Sequence, residues 1–215
     1  MGRTADHGVF PASNASGAKG LQMRIGVDVS ALTARPTGVG TYLRWQLAAM
    51  AALAPEHTWL GLSAGRGGTG VGDLPLAAHR HLPLPTRMLY RLWQWTGRPR
   101  ADSLLGGLDL FHGTNYFLPP VRNARRVVTF YDLTFLKYPE WTSPRIVGPF
   151  QRNIMRFARE ADGILTCSEA SKADIADLLD VDPAKIAVAY GGVDDLFAPV
   201  PEADARQLLA SAYGI

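Results

Sequence analysis

The sequence predicts an α/β fold, a parallel sheet with helices packed on both of its faces. Three observations carry this. Short runs of aliphatic and β-branched residues alternate along the chain with longer helical patterns. The short runs are apolar almost throughout, as in strands buried on both faces, where half-buried strands would alternate. The composition, 47% hydrophobic and 19% charged over 215 residues, supplies a core of one good-sized domain and excludes a chain that is disordered as a whole.

The elements follow in order. Residues 23–29 (MRIGVDV) read as the first buried strand. A turn-rich stretch, 30–37, contains Pro36 and leads into a helix over 38–54, where Leu43, Leu47 and Met50 recur at core spacing. Residues 57–63 (HTWLGLS) give the second strand, the glycine-rich 64–72 a loop, and 79–82 a third short strand. A helix is expected over 86–95 (TRMLYRLWQW), with Leu89, Leu92 and Trp93 on one face and Arg87 and Arg91 one turn apart. Strands four and five fall at 108–112 and 126–131. Ser143 before Pro144 signals a helix start, and that helix runs to about residue 161. Residues 163–167 (GILTC) form the sixth strand. Ser168 and Ser171 are candidate caps of the next helix, with Asp174 three after Ser171 as in a capping box. A turn at Asp182-Pro183 precedes the seventh strand at 186–190, and 201–213 closes as a helix.

Several function classes are excluded. A net charge of +3 is too small to single out an anionic partner, and no nucleic-acid partner is expected. One cysteine, Cys167, rules out an intrachain disulfide framework and reads as a small apolar residue at the end of a strand. Histidines and carboxylates are nowhere spaced as metal ligands, so no metal is expected. No apolar run approaches the ~20 residues that span a bilayer. Residues 1–22 lack periodicity and a secretory-type apolar core, and are expected to be a disordered extension before the domain that starts at Met23.

In parallel sheets the working residues sit past the carboxyl ends of the strands. One candidate is Gly38-Val39-Gly40-Thr41, where glycines at the mouth of a helix let backbone N–H groups approach an anion; a flexible turn entering a helix is the alternative. A dinucleotide fingerprint fails here, because Leu43 stands where a third glycine belongs and the second strand ends in Leu62-Ser63 without a carboxylate. No lysine follows the glycines, which excludes an NTPase-type phosphate loop. His112-Gly113-Thr114-Asn115 is the second candidate, with His112 either a base or hydroxyl-binding group or a satisfied structural histidine. Tyr131-Asp132 is the third, with Asp132 orienting a substrate hydroxyl or capping the next loop.

The ordered segments MRIGVDVSAL, PTGVGTYLRWQL, LDLFHGTNYFLP, RVVTFYDLTFLKYPEW, ADGILTCSEASKADI and DPAKIAVAYGGVDDLFAP closely resemble family 4 glycosyltransferases, from Met23 to about Pro199. The nearest likeness is to mannosyltransferases that build bacterial surface polysaccharides. The resemblance implies a GT-B enzyme, retaining and nucleotide-sugar-dependent, with a donor such as GDP-mannose as substrate and no cofactor. It implies that residues 23–200 are the Rossmann-like first domain, with the acceptor site, and that 201–215 begin the connection to a donor domain missing from this sequence. Gly38, Val39, Gly40 and Thr41 would face the donor diphosphate. His112, Thr114, Asn115 and Ser168 would line the acceptor site, and Tyr131 and Asp132 would occupy the catalytic position. There the family usually has a histidine in a TxHDL-like context, which here reads Thr129-Phe130-Tyr131-Asp132-Leu133. A tyrosine donates a hydrogen bond but cannot become a cation near pH 7.

Alone, such a half is expected to lack appreciable catalysis, since water exclusion and donor binding need a closed cleft. A separately encoded donor domain is one expectation. A non-catalytic module that binds a glycan or a partner is the alternative. The acceptor is expected to be a glycan or a lipid-linked sugar and the location cytoplasmic, at the inner face of the membrane. Residues 86–100, where Trp93 and Trp95 lie near Arg87, Arg91, Arg98 and Arg100, are the expected membrane contact, the alternative being a helix that packs its tryptophans on the sheet.

Overall fold

The computed structural model describes residues 21–32, 37–67, 70–142, 144–193 and 197–214. Among them are seven strands: β1 (Arg24–Asp28), β2 (Thr58–Ala64), β3 (Ala78–Leu82), β4 (Leu110–Gly113), β5 (Arg125–Thr129), β6 (Gly163–Thr166) and β7 (Ile186–Val188). The helices are α1 (Gly38–Leu53), α2 (Thr86–Thr96), α3 (Ala101–Leu104), α4 (Thr134–Lys137), α5 (Pro144–Glu160), α6 (Glu169–Leu179) and α7 (Glu202–Tyr213). Every strand pair is parallel, in the order β3-β2-β1-β4-β5-β6-β7. This is the Rossmann-like α/β architecture expected.

The alternation along β1 shows the two faces. Ile25 and Val27, with Val29 just beyond, pack with Leu43 and Leu47 of α1 and with Trp59. Gly26, between them, looks the other way: a side chain there would strike Leu108 and Phe111. That second face belongs to the larger core, which joins Leu89 and Trp93 of α2 to Phe117, Phe130 and Phe157. The apolar runs therefore read as strands for the expected reason, burial on both sides.

The amino ends of the strands are pinned by charge. The Arg24 amide donates to Asp109 Oδ2 at 2.7 Å, and the Arg126 amide to Asp162 Oδ2 at 2.8 Å. The carboxyl ends carry hydroxyls, carbonyls and the Asp28 carboxylate, and the candidate site lies there.

Several expectations need correction. Short α3 and α4 were not foreseen, because a four-residue helix leaves no periodicity. β4 starts at Leu110, after the expected residue 108, and β5 ends at Thr129, short of Tyr131. Ser168 alone caps α6, its Oγ accepting from the Ser171 amide at 3.1 Å. Ser171 is buried inside that helix, and Asp174 pairs with Lys137 at 2.7 Å, so the expected Ser171–Asp174 capping box does not form. Leu92 is exposed and does not share the buried face of Leu89 and Trp93. The Ser143 cap and all of the N-terminal extension except Leu21 and Gln22 lie outside the described residues.

Candidate functional site

β1 and β4 are neighbours although three strands apart in sequence order, so the chain reverses its direction of sheet growth between them. At such a switch point the two flanking loops part and leave a crevice beyond the strand ends. The loop after β1 leads to α1, and the loop after β4 holds Thr114, Asn115 and Tyr116. Thr114, fully buried, donates from Oγ1 to the Asp28 carbonyl at 2.6 Å and ties the two loops together.

A set of tyrosines extends this link across the sheet. Tyr131 Oη donates to the Thr114 carbonyl at 2.9 Å. Tyr42, on α1, donates to the Ala189 carbonyl at 2.9 Å and meets the Tyr131 ring edge-on at 5.7 Å. Tyr116 takes the Asp132 amide at 2.9 Å, and its ring stands 5.9 Å from that of Tyr131. Burial pushes the phenols of Tyr116 and Tyr131 well above the ordinary tyrosine range, and that of Tyr42 upward. They stay neutral at any working pH. The Tyr131 proton is committed to the Thr114 carbonyl, which leaves the phenol oxygen as an acceptor.

The glycine loop divides into two unlike halves. Gly38 is exposed, with nothing within 4 Å of a built side chain. Gly40 is buried, and a side chain there would come within 2.8 Å of the Ala31 carbonyl oxygen. Its amide is taken by Thr37 Oγ1 at 3.1 Å, and the Thr41 amide by the Thr37 carbonyl at 2.8 Å. Among the described residues no acceptor takes the amides of Gly38 and Val39 at the start of α1, where the helix dipole favours negative charge.

The other candidates fall as follows. Asn115 is half-buried beside the crevice. Asp132 is exposed, and its Oδ1 accepts from the Thr134 amide at 2.9 Å, which is the loop-capping alternative. Ser168 caps α6 just past β6. His112 lies within β4 and not at its end; it is 4% exposed, with Nε2 2.8 Å from Thr129 Oγ1. Burial lowers it from 6.5 to about 4. That is the satisfied structural histidine, held away from the crevice.

Asp28 was missed. It ends β1 at the switch point and shares a cleft with Ser30, Tyr90 and Pro119, beneath Leu89 and Trp93 of α2. Its Oδ1 accepts from the Ser30 amide at 2.9 Å. Burial raises its pKa, and the bonds from Ser30 oppose that rise only in part. In MRIGVDV the available signal was a carboxylate just after the apolar Ile25–Val27.

A family model described as Glycosyltransferase Family 4 matches residues 36–195, about three-quarters of the sequence. The chain belongs to glycosyltransferase family 4. No curated protein matches this family 4 chain. Solved structures do. Anabaena HepE in complex with UDP-glucose is 15% identical with a TM-score of 0.51, over 89% of this chain and 51% of its own. HepE with UDP is 15% identical with a TM-score of 0.50, over 87% and 49%. A glycosyltransferase from Rickettsia africae ESF-5 is 16% identical with a TM-score of 0.46, over 89% and 50%. The family 4 domain thus spans about half the length of the structures it matches, and at this identity the likeness is one of fold.

Proposed function

We propose that this family 4 domain is the acceptor-side half of a retaining, nucleotide-sugar-dependent glycosyltransferase. On this reading it places a hexosyl residue, mannosyl from a donor such as GDP-mannose, on a glycan or lipid-linked acceptor at the cytoplasmic face of a membrane. The single observation that carries the reading is the crevice at the β1–β4 switch point, whose α1 and β4 sides lie within the family match at residues 36–195. The uridine nucleotides of HepE support a nucleotide-sugar donor. The other half of the cleft, with the nucleotide site, would come from polypeptide outside this sequence, in the same protein or separately encoded.

The residues divide the work in this proposal. Transfer breaks the bond between the donor's anomeric carbon and its diphosphate, and forms one to an acceptor oxygen. The amides of Gly38 and Val39 would face the leaving diphosphate, where preorganised donors act on developing charge. Asp28 would accept a hydrogen bond from the acceptor hydroxyl, its raised pKa giving it affinity for the proton. Tyr131 would hold the crevice wall, its proton already spent on Thr114.

A non-catalytic glycan- or partner-binding module is the second reading. The commitment of the Tyr131 proton and its lack of positive charge favour it. The test is to assay the complete reading frame against UDP-glucose, GDP-mannose and other nucleotide sugars, with saccharide and lipid-linked acceptors. NMR of the product anomer decides retention. Glycan binding without transfer from any donor would replace the transferase by the module.

A further inference from the structure

We infer that the outer face of α2 is a docking surface for an anionic lipid bilayer. The helix carries two apolar stripes. Leu89 and Trp93 form the inner one, 1% and 8% exposed, and it is locked: Trp93 Nε1 donates to the Pro99 carbonyl at 2.7 Å, and Tyr90 stacks on Phe117. Met88, Leu92 and Trp95 form the outer one, 56%, 41% and 79% exposed, at i, i+4 and i+7, and Leu84, just before the helix, is exposed as well. No tertiary partner covers this outer stripe among the described residues. A stripe of that spacing is what a helix lying in a membrane interface presents.

Charge selects the occupant. From residue 74 to residue 101 the sequence holds five arginines (80, 87, 91, 98 and 100) and not one carboxylate. None of the five is in an ion pair among the described residues. At 100° per residue, Arg87 and Arg91 run along one border of the outer stripe, and the Arg91 guanidinium sits over the Trp95 ring at 5.5 Å. Apolar and aromatic side chains bordered by unpaired guanidinium groups match acyl chains beneath phosphate head groups. A protein partner for so basic a face would have to supply carboxylates; a bilayer supplies the apolar and the anionic layer together.

The placement gives the contact a use. The chain enters α2 from the carboxyl end of β3, and Thr86 Oγ1 reaches the Ala64 carbonyl at the end of β2. The inner stripe of α2 roofs the cleft that holds Asp28. A bilayer on the outer face would thus lie one helix thickness from that carboxylate, within reach of a head group or lipid-linked saccharide. The docking does not rest on the transferase reading, and its test measures binding alone.

The test is co-sedimentation of the chain with vesicles of phosphatidylcholine containing 30% phosphatidylglycerol, against phosphatidylcholine alone. Binding should need the anionic lipid and fall steeply between low salt and ~0.5 M NaCl. Each arginine near the surface is worth roughly fivefold in partition, so Arg87→Glu with Arg91→Glu should lower it by more than about 25-fold. Met88→Ser with Trp95→Ser should weaken binding at low salt too, through loss of the apolar anchor. Arg122→Glu with Arg206→Glu, the same change in charge elsewhere on the surface, should leave most of the binding. All four positions of the two α2 variants are exposed, so an unchanged melting temperature is expected and verifies folding. Absence of vesicle binding, binding indifferent to lipid charge, or equal losses in the α2 and control charge variants would overturn the proposal. So would self-association abolished by the α2 variants without vesicle binding, which would make a second copy the occupant.

Discussion

His112 makes the stability of this domain depend on mild acid, in a direction and by an amount that follow from its surroundings. The ring lies within β4, paired in register with Val27 on one side and Val127 on the other, and its Nε2 is tied to Thr129. Burial is the one force that moves it, and it disfavours the imidazolium, lowering the pKa from 6.5 to about 4. In the unfolded chain the ring takes a proton near pH 6.5; in the fold it refuses it until about pH 4. The unfolded state therefore binds more protons throughout this window, and stability rises with pH across it. The contribution is complete above pH 6.5, is lost as pH falls, and amounts to about 3 kcal/mol by pH 4 at ~1.4 kcal/mol per decade. That is a large share of the ~5–15 kcal/mol a domain typically commands. Urea midpoints at pH 7, 6, 5 and 4.5 measure it, with His112→Gln as the reference that keeps a partner for Thr129. Groups common to both chains cancel in the difference, including Asp28, whose raised pKa acts with the opposite sign. The wild type should lose stability relative to the variant by about 1.4 kcal/mol per unit below pH 6. A difference that stays flat, or an imidazole NMR titration near 6.5, would refute the reasoning.

Other substitutions give sharp expectations. Gly113→Ala sets a Cβ 1.9 Å from the Phe117 carbonyl oxygen, a clash that only backbone movement relieves, so thermal melts should show a loss of about 3 kcal/mol or an unfolded chain. Gly40→Ala meets the Ala31 carbonyl at 2.8 Å and should cost ~1–3 kcal/mol, whereas Gly38→Ala, in open space, should cost nothing measurable; equal effects in the two melts would contradict the division of the loop. Tyr131→Phe removes the bond to Thr114 and should cost about 1 kcal/mol in denaturant titration. Asp28→Asn removes a carboxylate that burial penalises while an amide oxygen can still accept from Ser30; the melting temperature at pH 7 should hold or rise, and transfer by the complete protein should fall sharply. A variant that melts earlier and retains transfer would make Asp28 a purely structural residue.

The strands were legible because a strand buried on both faces is a continuous apolar run, and that signal is local. Six of the seven appear where such runs stand, with ends displaced by a residue or two; β3, Ala-His-Arg-His-Leu at the sheet edge, is polar and has no fully buried residue. The crevice was legible only as a list of loops. Which two loops face each other depends on strand order, and nothing inside MRIGVDV or LDLFH says that β1 and β4 are neighbours. Asp28 becomes a candidate site residue, and His112 a core residue, only through that pairing. His112 stands at an interior register position opposite Val27, whereas Asp28 ends its strand where the sheet reverses.

Helix α2 shows the same limit from the other direction. Its sequence contains two apolar stripes, 89 and 93 on one side, 88, 92 and 95 on the other, and periodicity ranks neither as the inner one. Grouping Leu92 with Leu89 and Trp93, or Trp93 with Trp95, satisfies the pattern equally well. The choice is made outside the helix, by Phe117 and the Pro99 carbonyl, which offer a stacking partner for Tyr90 and an acceptor for the Trp93 indole. Once those contacts claim one stripe, geometry alone leaves the other turned outward beside Arg87 and Arg91. An exposed stripe of this kind is not explained by core packing, since the core is satisfied without it. Removing Met88 and Trp95 should therefore leave folding intact, which separates a surface that serves a partner from one that serves the fold.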